Sequence, residues 1–440
     1  MSLSTDTIYA LSSGSLPAGV AVLRISGDQA MSALASFLEK SPPPPRTVSL
    51  RTIRNRNNDV IDQALVMTFP GPGSFTGEDC VELQLHGSRA VVDAVFAQLD
   101  SMPGVRHAEA GEFSKRAYDN GKMDLLEVEG LADLLKAETE MQRRLAIEQT
   151  SGRLSDLYDV WANRLTRCRA MIEAELDFSD EEDVPDSVAD QVWRDVSLLS
   201  VEIADHLNSG TSREIIRDGF KVALVGAPNV GKSSLLNVLT GRDVAIVTDI
   251  AGTTRDVLST DLNLDGYLVT IFDTAGLRDD TDDVVELEGM RRARQTAEDA
   301  DLIFSMSDND SEPQQFSETI LPVIRIATKS DIRDLIDGQH DLAISVKDGS
   351  GIDALRSKIL EEIQRRVGST STLSPVRARH KKRVEETLNY VREALQAQEL
   401  DLAIRSEYLR LAATSLGRIT GRVDVEDLLG VIFSEFCIGK

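Results

Sequence analysis

The stretch Lys221-Val222-Ala223-Leu224-Val225-Gly226-Ala227-Pro228-Asn229-Val230-Gly231-Lys232-Ser233-Ser234 decides how this chain is read. An apolar run ends in a loop with glycines at 226 and 231. Leu235-Leu236-Asn237-Val238-Leu239 then continues as a helix. Strand, Gly-rich loop and helix at the spacing GxxxxGK[ST] turn backbone N–H groups inward around phosphates. In such a cradle the backbone of Asn229, Val230, Gly231 and Ser234 closes around the phosphates. Lys232 reaches the β/γ oxygens, and the Ser233 hydroxyl binds Mg2+.

Working outward, residues 219–367 alternate strands and helices, as a doubly wound sheet does. Asp265-Gly266 is a two-residue hairpin signal between Leu258–Leu264 and Tyr267–Phe272. The second of these strands runs into Asp273-Thr274-Ala275-Gly276. An acidic residue at a strand end followed by a flexible glycine suits Mg2+ support and sensing of a γ-phosphate. A later strand, Val323–Ala327, leads into Thr328-Lys329-Ser330-Asp331. Asp331 stands where a carboxylate accepts from both guanine N1–H and N2–H2, and the Lys329 stem covers the ring, so the expected nucleotide is GTP. Thr328 departs from the usual Asn of NKxD, and its shorter hydroxyl weakens base affinity or loop bracing. Ser345-Val346-Lys347 resembles the loop that offers a backbone N–H to guanine O6. Leu277 stands where many small GTPases place a water-orienting glutamine. Catalysis must therefore come from another group: one of Asp282, Asp283, Glu286 and Glu288, or a second cation.

The flanks are different. Residues 1–121 read as mixed α/β, with strands at Ile8–Leu11, Val20–Ile25, Ala64–Phe69 and Glu82–Leu85. Helical spacing spans Gln29–Glu39 and Ala90–Leu99. By chemistry alone this is a ligand-binding or dimerisation module. From 122 to 218 the spacing is helical, starting with Leu125, Val128, Leu131 and Leu135. It returns over 368–440 with Val384, Leu388, Val391 and Leu395. The economical arrangement packs these two blocks on each other, with the nucleotide domain inserted between them; two separate bundles are the alternative.

Composition bounds the partners. The chain has 440 residues and a formal net charge of -25, which predicts no general attraction to nucleic acid. The acidic runs Asp180–Asp183 and Asp279–Asp283 read as solvated loops. The basic run Arg377–Arg383 is the best local candidate for phosphate contact. Three widely spaced cysteines and five histidines argue for a reducing cytoplasm and against a disulfide framework or a zinc site. No apolar run reaches membrane-span length, so no integral membrane association is expected, and the first residues lack the pattern of a signal peptide.

The loop at Gly226, the run Asp249-Ile250-Ala251-Gly252-Thr253-Thr254-Arg255-Asp256 and Asp273-Thr274-Ala275-Gly276-Leu277-Arg278 together resemble the Era/TrmE superfamily of P-loop GTPases. Leu23–Gly27, Ser74–Asp79, Gly111–Ser114 and the ending Phe436-Cys437-Ile438-Gly439-Lys440 are similar to the TrmE (MnmE) family of tRNA-modification GTPases over essentially the whole chain. That resemblance implies a multidomain fold. It has an α/β (α+β) N-terminal folate-binding domain, an all-α helical domain, and a P-loop α/β GTPase domain inserted into the helical one. It also implies a homodimer and 5-formyltetrahydrofolate or a related folate, bound by Arg24, Glu82, Lys122 and Lys440. Asn229, Thr248, Ile250 and Thr253 match the family's K+ ligands, and Ser233 and Thr254 its Mg2+ ligands. Glu286 matches a catalytic glutamate that acts on water at a distance, although one extra residue precedes it. The implied activity is a K+-dependent, dimerisation-activated GTPase. With a flavin-dependent partner, MnmG (GidA), it modifies C5 of the wobble uridine of certain tRNAs. Cys437 is a candidate reactive thiol or a packing residue of the tail.

Two other readings remain at this stage. One is a GTP-gated switch in ribosome assembly or RNA binding, whose relatives lack the N-terminal module and the Cys-Ile-Gly-Lys ending. The other is a folate-sensing dimer in which hydrolysis is indifferent to K+.

Overall fold

A computed structural model describes residues 6–177, 188–208, 211–227, 229–242, 259–273, 300–308, 321–332, 339–368, 374–396, 401–423, 426–434, 436 and 439. The chain forms two compact units. One comprises Met1–Ala132, Gln149–Ala162 and Leu416–Lys440, and the other Asp133–Glu148 and Asn163–Ser415.

In the first unit, period-2 apolar patterning builds a six-stranded sheet from β1 (Thr7–Leu11), β2 (Ala18–Ser26), β3 (Ser49–Arg54), β4 (Val60–Phe69), β5 (Cys80–Gly87) and β6 (Val105–His107). The order is β3-β4-β5-β2-β1-β6, antiparallel throughout except for the β1–β6 pair. Tyr9, Leu23, Ile25, Val81 and Leu83 are fully buried in one core with Val92, Val95 and Leu99 of helix Arg89–Asp100. Alternation places Ile8, Ala10, Arg24 and Glu82 on the opposite face. Phe113 and Ala108 cover Ile8 and Ala10 there. β3 and β6 carry no clear alternation and escape a sequence reading.

The first helix is Ala30–Ala35, shorter than the spacing of 29–39 suggests. The Ser36 hydroxyl donates to Ala33 O and competes with the helical ladder at that point. Helix Leu125–Lys136 buries Leu125, Val128 and Ala132 against Ile432, Phe433 and Phe436, but Leu135 is 43% exposed. Leu126, Glu129 and Gly130 are buried as well, and at 3.6 residues per turn Leu135 sits roughly 105° round from the mean direction of the buried residues, so the expected face is rotated.

The second unit is built on a sheet of order β12-β11-β10-β7-β9-β8. Its strands are β7 (Phe220–Gly226), β8 (Ser259–Leu264), β9 (Tyr267–Asp273), β10 (Leu302–Ser307), β11 (Val323–Ala327) and β12 (Leu342–Ala343). All pairs are parallel except β8–β9, which are joined by Asp265 (φ 51°) and Gly266 (φ 87°) as a two-residue hairpin turn. Helices Lys232–Arg242 and Ile352–Val367 bury Leu235, Leu239, Leu355 and Ile359 in its core. Helix Glu140–Gln149 contributes Leu145 and the partly buried Met141 to the same core, and Met141 N–H donates to Gly266 O at 3.1 Å. Helix Ala378–Gln396 packs on helix Val188–Asn208, and its Val384, Leu388 and Val391 are buried. Among the described residues no helix is long and apolar enough to cross a membrane.

Candidate functional site

The candidate nucleotide site lies at the carboxyl ends of β7, β9, β10 and β11, the edge where doubly wound sheets bind ligands. Gly226 is required by packing: a Cβ there would lie 2.3 Å from Met306 O on the neighbouring strand β10. Asn229 follows in the left-handed region (φ 63°), which asparagine tolerates better than most residues, and Gly231 has φ 104°. Val230 is buried in the sheet core and anchors the loop, while Asn229, Ser233 and Ser234 are exposed.

Lys232 opens the helix and is only 8% exposed. Its Nζ donates to Gly226 O (2.7 Å) and Ala227 O (3.1 Å), so the ammonium lies folded over the loop. Burial pushes it below the usual lysine range, and the Asp273 carboxylate opposes that shift. Ser233 Oγ donates to Asp273 Oδ2 at 3.1 Å, while Asp273 Oδ1 is buried and has no hydrogen-bond partner among the described residues. A hydroxyl beside a buried carboxylate oxygen with no donor is an oxygen donor set suited to Mg2+. Thr248, Asp249, Ile250, Ala251, Gly252, Thr253, Thr254, Thr274, Ala275, Gly276, Leu277 and Glu286 lie outside the described residues, as do both acidic runs.

The base loop is held from several sides. Thr328 donates its N–H (2.9 Å) and its Oγ1 hydroxyl (3.2 Å) to Ser307 O. Lys329, at φ 58°, pairs with Asp308 Oδ2 at 2.8 Å. Ser345 Oγ donates to Asp331 Oδ1 at 2.9 Å and steadies the carboxylate. The Ser345 amide is itself bonded to Ser350 O, so a donor to guanine O6 has to come from the amides that follow it. Sequence reasoning missed Ser307, Asp308 and His340, whose Nε2 lies 2.7 Å from Ser307 Oγ. Their only signal is a position at a strand boundary: Ser307 ends β10, Asp308 follows it, and His340 precedes β12.

In the first unit, Arg24 and Glu82 stand directly opposite each other on β2 and β5. Arg24 Nε and Nη2 donate to Glu82 Oε1 at 3.0 and 2.8 Å, and the guanidinium lies over the rings of Phe75 (5.3 Å) and Phe113 (5.7 Å). Lys122 Nζ donates to Pro72 O at 2.9 Å, so the loop that presents Phe75 also receives Lys122. Cys437 and Lys440 lie outside the described residues. Gly439 is placed by Ser12 Oγ, which donates to its carbonyl at 2.8 Å. The basic run is partly spent internally: Arg377 pairs with Asp133 and Arg383 with Glu386, each at 2.7 Å, and His380 is buried.

A doubly wound sheet carrying a phosphate loop, a strand-end aspartate and a base loop defines a P-loop GTP hydrolase. Two family models match the chain: the GTP-binding protein TrmE N-terminus over residues 7–122, and the MnmE helical domain over residues 125–437. The tRNA modification GTPase MnmE of Agrobacterium fabrum is 68% identical over 440 residues, covering 99% of each chain. The protein of the same name from Rhizobium johnstonii is 56% identical over the full length of both. Among solved structures, the G domain of the T. maritima FeoB iron transporter is 29% identical, with 33% of this chain and 99% of that chain covered at a TM-score of 0.26. The chain belongs to the MnmE family of tRNA modification GTPases.

Proposed function

We propose that the chain is a K+-dependent GTPase, activated when two G domains pair. With the flavin-dependent partner MnmG (GidA) it installs a carboxymethylaminomethyl group at C5 of the wobble uridine of certain tRNAs in the cytoplasm. The observation that carries this reading is the 68% identity, over 99% of both chains, to a tRNA modification GTPase.

In this reading the amides around Val230 and Gly231, with Lys232, hold the β- and γ-phosphates. The burial of Lys232 strengthens its attraction for them. Ser233, Asp273 and Thr254 would hold Mg2+, and Asn229, Thr248, Ile250 and Thr253 would hold K+. Together these cations supply positive charge where charge develops on the transferring phosphoryl group. Leu277 cannot orient water, so that task falls to Glu286. Asp331 and Lys329 select guanine. Arg24 and Glu82, with Lys122 and Lys440, would bind the folate: a charged pair beside the 37%-exposed Phe75 ring suits a flat heterocycle with a polar edge. The folate supplies a one-carbon unit, and Cys437 is a candidate thiol near that chemistry.

Homodimerisation has support of its own. Leu50 and Leu65 face each other across β3 and β4, are 61% and 38% exposed, and adjoin the 55%-exposed Val48. Such an apolar row gains from a second copy. The deciding experiment is nucleoside mass spectrometry of tRNA from a strain lacking this chain. Loss of the modified wobble uridine is expected, and an unchanged profile overturns the proposal.

A further inference from the structure

Thr328 leaves the base loop with one short hydroxyl where an asparagine amide would offer a donor and an acceptor. The structure shows what that hydroxyl does. Both it and the Thr328 amide converge on Ser307 O, the last carbonyl of β10. The placement of the loop therefore depends on residue 307. Ser307 is fully buried, and its own side chain is held by His340 Nε2 at 2.7 Å. His340 is fixed in turn by the chain around it. The next residue, Asp341, donates its amide to Arg325 O (2.9 Å), and its carboxylate pairs with the Arg325 guanidinium (2.9 Å).

We propose that His340 is a positioning residue for guanine selection, acting through Ser307 on the Thr328–Asp331 loop. It takes over the bracing that the missing asparagine would provide. Adjacent residues reinforce the tie, because Asp308 pairs with Lys329. Three strands, β10, β11 and β12, are thereby locked together at the edge where the base sits. A displaced loop moves the Asp331 carboxylate away from the two guanine donors and costs guanine more than a base with only one of them. The inference rests on the assignment of Thr328, Lys329 and Asp331 to the base.

The test uses the full-length chain and fluorescent GDP, IDP and XDP; IDP lacks the 2-amino group. His340→Ala and Ser307→Ala should each weaken GDP about tenfold, as loss of a buried hydrogen bond does. They should weaken IDP less, so the GDP:IDP preference narrows. His340→Gln, which still reaches Ser307, should recover most of it. The double variant should be no worse than either single change, because both break one chain of contacts. An unchanged GDP:IDP preference in His340→Ala, or additive losses in the double variant, overturns the proposal. Asp331→Asn separates the two levels. If it fails to shift preference from GDP toward XDP, the base-loop assignment itself is wrong. If it does shift while Ser307→Ala and His340→Ala leave the GDP:IDP preference unchanged, only the role of His340 is lost.

Discussion

Ser233 Oγ donates to Asp273 Oδ2 across 3.1 Å and ties the first turn of the P-loop helix to the last residue of β9. The second carboxylate oxygen, buried and without a donor among the described residues, makes this pair costly unless a cation accompanies it. Ser233→Ala should therefore lower Mg2+ affinity in the nucleotide complex by about 10–100-fold. GDP binding in the presence of a chelator should barely change. Metal titration of nucleotide-bound protein checks this, and equal Mg2+ dependence in the two proteins would exclude the assignment.

Asn229 has a backbone that glycine can adopt without strain, at φ 63°. Asn229→Gly thus removes the side chain while preserving the loop. GTP turnover should lose its preference for K+ over Na+, with nucleotide affinity within about twofold of the parent. Steady-state rates in the two salts decide it. A retained K+ preference would place the cation elsewhere.

The cysteines offer a pH-dependent prediction. Burial, reinforced by Asp195, pushes the Cys168 thiol up to about 11. The thiolate is the reactive form, and below that value its fraction rises tenfold per pH unit. At pH 8 roughly one Cys168 in a thousand is ionised. Cys80 is also buried. Native alkylation at pH 8, read by mass spectrometry, should leave Cys168 and Cys80 unmodified. Rapid labelling of Cys168 would contradict the packing described here.

Gly111 opens helix Glu112–Asp119 at φ 68°, and a Cβ there would lie 2.4 Å from Phe433 O. Gly111→Ala must both adopt a left-handed backbone and displace helix Glu426–Ser434. A loss of at least about 2 kcal/mol is expected. Denaturant unfolding measures it, and a change below about 0.5 kcal/mol would show that the helix accommodates the methyl.

The phosphate loop and the Asp265-Gly266 hairpin were legible because their geometry is local: glycines at fixed offsets and a two-residue turn between alternating runs. The strands of both sheets were mostly legible for the same reason. What escaped is non-local. Helical spacing takes in Leu145, but does not show that it joins the core of Phe220 and Leu264 or that Met141 packs there with it. Likewise, nothing in Thr328-Lys329-Ser330-Asp331 points to Ser307 or His340, which meet it only when β10, β11 and β12 align.

Helix Glu140–Gln149 supplies the sharpest test of that hidden packing. Met141 lies in the first turn, where a backbone N–H has no helical partner, and Gly266 O accepts it at 3.1 Å. Proline is tolerated at such positions, so Met141→Pro deletes this bond and the side chain together, while Met141→Ala deletes the side chain alone. The difference between the two variants isolates the tie between the helix and the β8–β9 hairpin. It should be about 1 kcal/mol in urea unfolding. Hydrogen exchange should also be faster in the hairpin of the proline variant than in the alanine variant. Because β8 and β9 flank the segments that lead into Thr254 and Thr274, the proline variant should also release GDP faster. Identical stability and exchange in the two variants would mean that the helix rests on the hairpin through Met141's side chain and not through this bond.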